Sequence, residues 1–158
     1  MLSDIITEEK LDLVCLTETW HNESVGLLFN KLTPAGYGLF DLPRSSGKGG
    51  NIIVLYNHQL NMSPVDVPQF NSFDCLVLSV SASLSTAIAT VYRSPKINKD
   101  FLSEFADMLT LLCLKFERTL IFNDFNIHMD IKDSTITKYF YIFIGVLRIE
   151  PAGGLSYS

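Results

Sequence analysis

"LIFNDFNIHMD", residues 120–130, begins as an apolar run and then sets Asp124, Asn126, His128 and Asp130 at every second position. In an extended chain, side chains two apart share a face, so Asp124 and Asn126 emerge together at the end of a buried strand. Phe122, Phe125 and Ile127 help to anchor that strand. Such a polar pair can hold a water and a phosphoryl oxygen. The same alternation also fits a solvated sheet edge.

Working outward, the chain alternates in type. Residues 100–118 place Phe101, Leu102, Phe105, Met108, Leu109, Leu112, Cys113 and Phe116 at helical spacing, the best amphipathic helix in the chain. Before it, "FDCLVLSVSA" (73–82) and "STAIATVYR" (85–93) read as two strands joined by a short polar turn, and "NIIVLYN" (51–57) as a β-branched strand. "LDLVCLTE" (11–18) reads as a strand apolar on both faces, residues 3–10 as a short helix capped by Ser3, and residues 23–32 as helical. "RSSGKGG" (44–50) is a loop or hairpin turn. The order predicts an α/β (α+β layered) fold in which strands pack as sheets under helical cover.

Composition sets the limits. The 158 residues suit one domain, and 47% hydrophobic against 18% charged residues calls for a real core. No apolar stretch reaches the length of a bilayer span, and Asp4, Glu8 and Glu9 are unlike a signal peptide's start. The expectation is an intracellular chain, nuclear or cytoplasmic and not secreted, with no membrane contact. Cys15, Cys75 and Cys113 lie in apolar segments without metal-ligand spacing, which predicts buried free thiols. The net charge of -5 disfavours nonspecific binding to nucleic acid, although carboxylates gathered around a divalent ion can supply such a surplus while a local basic cluster docks.

Three strand ends carry compatible chemistry. Glu18 ends "LDLVCLTE", where a carboxylate becomes available to a hard cation, and Mg²⁺ commonly takes only one or two protein carboxylates. Tyr92 ends a second strand with a phenolic donor, and Arg93 and Lys96 follow as expected phosphate contacts. Asp124 and Asn126 end the third. A carboxylate or Asn after a strand is most often only a turn residue, but three compatible strand ends shift the weight towards a site. Other motifs fail. Met129 and Thr135 stand where a calcium loop needs Gly and Glu, Leu42 and Gly49 break a P-loop, and His21, His58 and His128 lack zinc spacing.

Taken in order, "LDLVCLTETW", "GKGGNIIVLYN", "TVYRSPK" and "LIFNDFNIHMD" resemble the apurinic/apyrimidinic-type endonuclease domain of non-LTR (LINE-type) retrotransposons, within the endonuclease/exonuclease/phosphatase superfamily. The resemblance runs from about residue 3 to about residue 132. It implies a four-layer sandwich of two packed β-sheets flanked by helices, here a partial one, with a domain over 1–148 and an unstructured tail over 149–158. Residues 134–148 are a helix by resemblance and equally a strand by propensity. It also implies Mg²⁺-dependent hydrolysis of DNA phosphodiesters, with Mn²⁺ as a substitute cofactor. Glu18 would be the metal ligand, Tyr92 a phosphate-holding group, Asp124 the residue that orients or deprotonates water, and Asn126 a contact to the scissile phosphate. The complete parent protein would also carry a reverse transcriptase domain.

Two parts of the family pattern have no counterpart here: an N-terminal strand with a metal-site Asn, and a C-terminal Ser-Asp-His element. Asn123 replaces the family's Gly before the catalytic Asp. The expectation is therefore a domain truncated at both ends, with unpaired sheet edges and an incompletely covered core. Three readings stay open: a nuclease, a catalytically inactive remnant that acts at most as a binding module, and a phosphatase of the same superfamily.

Overall fold

A computed structural model describes residues 2–19, 33–42, 51–96 and 98–126. The chain divides into two compact units, Met1–Phe125 and Asn126–Ser158, and of the second only Asn126 is described. The helix expected over 23–32, the loop over 44–50, and everything expected of residues 127–158, the tail included, lie outside the described residues.

The first unit is layered. Helix α1 (Leu2–Glu8) is followed by strands β1 (Leu13–Thr17), β2 (Tyr37–Leu42) and β3 (Ile52–Asn57), which form a sheet in the order β1-β3-β2. Both pairings are antiparallel. A 3-10 turn (His58–Leu60) leads to β4 (Met62–Pro64), β5 (Asp74–Val80) and β6 (Thr86–Tyr92), and helix α2 (Phe101–Lys115) precedes β7 (Arg118–Asp124). These strands form a second sheet in the order β4-β5-β6-β7. Only the pairing of β6 with β7 is parallel, and α2 lies in the crossover between them.

Burial explains the layers. β3 is apolar on both faces because each is covered: Ile52 and Val54 pack with Met62, Leu78, Ile88 and Tyr92 between the sheets, while Ile53 and Leu55 pack with Ile6 of α1. On the far side of the second sheet, Met108 of α2 lies 3.4 Å from the Cys75 thiol, and Phe73 meets the Phe101 and Phe105 rings edge-on. The sequence is thus helix, sheet, sheet, helix, the layered sandwich expected.

Among the described residues β1, β2, β4 and β7 each have a single strand neighbour. β7 alternates side chains between the two faces of its sheet, and its inward set leaves Leu120 53% and Phe122 42% exposed.

Several details differ from expectation. β2 and β4 were not anticipated, and Ser3 lies inside α1, where its hydroxyl donates to Asp4, instead of capping the helix. Cys15 and Cys75 are half-buried, but Cys113 is exposed, because the buried stripe of α2 runs through Phe101, Phe105, Met108, Leu109 and Leu112. Asn123 sits within β7 and is not among the positive-φ residues, so its position makes no demand for Gly.

Candidate active site

The three strand ends meet at one end of the sandwich. β6 and β7 run parallel with Tyr92 opposite Asp124, which puts both side chains on the same face, the one towards the first sheet. Tyr92 belongs to the inter-sheet core and is only 3% exposed. Its hydroxyl reaches across to the first sheet and donates to Glu18 Oε1 at 2.6 Å. One layer deeper, the Thr90 hydroxyl donates to Cys15 Sγ at 3.2 Å, a second polar tie between the sheets.

Glu18 follows β1 directly, and its side chain is exposed. Its backbone is left-handed, with φ of 52°. For a residue with a Cβ that conformation costs about 1–2 kcal/mol, so packing and the Tyr92 bond hold it there. The result is a solvent-facing carboxylate tethered through one oxygen by a buried phenol. Asp124 is half-buried at the end of β7, and its backbone carbonyl accepts the Arg93 N–H at 2.9 Å, which extends the parallel ladder one bond past Tyr92.

Arg93 departs from the expectation of a phosphate contact. It is 2% exposed, and strand alternation turns it away from Tyr92 towards α2. There its guanidinium donates to the Phe125 carbonyl at 2.8 Å and the Lys96 carbonyl at 3.5 Å, and lies 4.9 Å from the centroid of the Phe101 ring. The alternation that placed Tyr92 on the inner face was the signal for this. Lys96 is exposed, as a phosphate contact requires. Asn126 has φ of 48°, a left-handed backbone that Asn tolerates better than most residues.

No group of three or more His, Cys, Asp or Glu side chains able to hold a metal occurs among the described residues. An all-protein cage is therefore not built from them. A single exposed carboxylate does suit a hard cation that keeps most of its waters, and in donor chemistry Glu18 fits Mg²⁺. No described helix is long and apolar enough to cross a membrane.

No protein-family model matches the chain, and no curated protein matches its sequence. Solved structures do match in fold. A truncated TDP2 from Caenorhabditis elegans aligns at TM-score 0.60 and 13% identity, over 82% of this chain and 55% of that one. ANGEL2, a 2′,3′-cyclic phosphatase solved with adenosine-2′,3′-vanadate, aligns at TM-score 0.61 and 16% identity, over 88% and 46%. The endonuclease domain of TRAS1, a telomere-specific non-LTR retrotransposon, aligns at TM-score 0.61 and 14% identity, over 92% and 63%. The chain spans less than two thirds of the length of each of these.

Proposed function

We propose that this chain, which carries the endonuclease/exonuclease/phosphatase fold, is part of a Mg²⁺-dependent phosphodiester hydrolase acting on DNA and derived from a retrotransposon. The observation that carries the reading is the Tyr92–Glu18 hydrogen bond across the sheets, with Asp124 in register beside Tyr92. A buried phenol needs a hydrogen-bond partner in any core; what supports the reading is that Tyr92 takes the exposed carboxylate to which the resemblance gives the metal.

Each residue has a definite task in this reading. Glu18 would hold the Mg²⁺, with Mn²⁺ as a substitute; when bound, the ion neutralises charge growing on the phosphoryl oxygens. Tyr92 commits its single proton to Glu18, so it orients the carboxylate from within the core. Asp124 holds the attacking water in line and takes its proton as the water oxygen bonds to phosphorus and the bond to the leaving oxygen breaks. The family resemblance adds Asn126 as a contact to the scissile phosphate, and Lys96 is exposed for the flanking backbone. The complete parent protein would also carry a reverse transcriptase domain.

Nicking of supercoiled plasmid by the purified chain in Mg²⁺, beside EDTA, Asp124→Ala and Glu18→Ala controls, tests the reading. Nicking lost in all three controls is expected. Nicking that survives Asp124→Ala, or none by the wild type, rejects it. A second reading, hydrolysis of a smaller phosphate ester, is favoured by the likeness to a 2′,3′-cyclic phosphatase, since the same groups treat any phosphate ester alike. Turnover of a 2′,3′-cyclic nucleotide without nicking would select it.

A further inference from the structure

We propose that Arg93 is the positioning residue for Asp124, an inference that rests on the role given to Asp124 above. Arg93 engages two successive carbonyls of the β7 end: its backbone N–H takes the Asp124 carbonyl at 2.9 Å, and its guanidinium takes the Phe125 carbonyl at 2.8 Å. Fixing both carbonyls fixes the peptide planes that follow Asp124 and Phe125, and with them the direction in which the Asp124 side chain leaves the strand.

The side chains on the α2 face complete the clamp. The Phe125 ring packs edge-on against Phe101 at 5.5 Å and Phe105 at 5.1 Å, while the guanidinium lies 4.9 Å from the Phe101 centroid. Phe125 is thereby held outward, and strand alternation then directs Asp124 inward beside Tyr92. A side chain kept only for packing would not need charge, since a buried cation is costly and an aliphatic residue fills the same space without that cost. What the guanidinium brings is a planar fork that lies over a ring while donating to a carbonyl, which the compact ammonium of Lys does not reproduce.

The test compares the wild-type chain with Arg93→Met, which has similar length and no donors, and Arg93→Lys, which keeps charge and a single donor group. Amide hydrogen exchange is followed in peptides covering 118–126 and, as a reference, 74–80. Exchange over 118–126 should accelerate about tenfold or more in Arg93→Met with 74–80 little changed, and Arg93→Lys should fall between. In the nicking assay kcat should drop about 10–100-fold, as a misplacement of about 1 Å would cause, with KM within about twofold and partial rescue by Lys. Equal acceleration in both peptides, or no change over 118–126, overturns the proposal. If Arg93→Met does not fold, Arg93→Lys decides alone by the same local-against-uniform criterion. Local acceleration in Arg93→Met, alongside a wild type that never nicks, leaves the clamp standing and removes only the phosphodiesterase reading.

Discussion

Tyr92 and Glu18 stand on different sheets, and the 2.6 Å hydrogen bond between them ties the exposed end of one to the core of the other. Tyr92→Phe keeps the ring in the core and removes only this tie. A loss of about 1 kcal/mol in urea unfolding is expected, below the usual value for a bond to a charged group because Glu18 is exposed. Glu18→Gln, whose amide oxygen still accepts, should cost less, and a double-mutant cycle with Glu18→Ala should show coupling between the two. Additive effects would mean that the bond does not persist in solution.

Gly38 lies opposite Tyr56 across β2 and β3, and a Cβ there would come within 2.5 Å of the Tyr56 ring. That ring is also stacked on Phe40 at 5.0 Å and has little room to yield. Gly38→Ala should destabilise by about 1–3 kcal/mol, the usual range for overpacking. Most of the loss should return in Gly38→Ala/Tyr56→Leu, measured by the same urea titration.

Glu104 of α2 accepts hydrogen bonds from the Ser72 hydroxyl at 2.6 Å, the Ser72 N–H at 2.9 Å and the Asn71 N–H at 3.0 Å, pinning the loop before β5. The Ser72 hydroxyl chiefly, with these backbone N–H groups, holds the carboxyl below its ordinary 4.5. Because the folded value is depressed, the stabilisation is complete above the unfolded value and is lost as pH falls through the folded one. Unfolding free energy measured from pH 6 to pH 3 should fall less steeply in Glu104→Gln than in the wild type. Equal slopes would disconnect this carboxylate from acid sensitivity.

The cysteines should separate by reactivity. Burial beside Met108 pushes the Cys75 thiol up to about 12, and burial between the sheets raises Cys15, so both stay as thiols near neutrality, whereas Cys113 is exposed. Iodoacetamide at pH 8 should modify Cys113 first, and Cys113→Ser should abolish the fast phase seen by mass spectrometry. Prompt labelling of Cys75 would contradict the packing of α2.

What could be read in advance follows from periodicity. β3, β5, β6 and α2 carry patterns strong enough to survive without context, and their ends fell within a few residues of expectation. β2 did not, because Gly38 and Asp41 weaken a strand that exists through its partner β3, and β4 has three residues and no pattern of its own. Glu18 and Tyr92 were legible as strand ends, but their meeting depends on how two sheets stack, which no local spacing encodes. Arg93 was misjudged because its charge was weighed and its face was not. Cys113 was misjudged because an apolar neighbourhood along the chain is not the same as a buried side of the helix.

The Tyr92–Glu18 bond joins positions 74 residues apart, and Asp124 arrives on the last described strand of its sheet. During synthesis Glu18 leaves the ribosome about 4–15 s before Tyr92, at about 5–20 residues per second. Throughout that interval its carboxylate lacks the Tyr92 phenol that tethers it in the folded chain. The arrangement of Glu18, Tyr92 and Asp124 therefore cannot form on the nascent chain until β7 has been made.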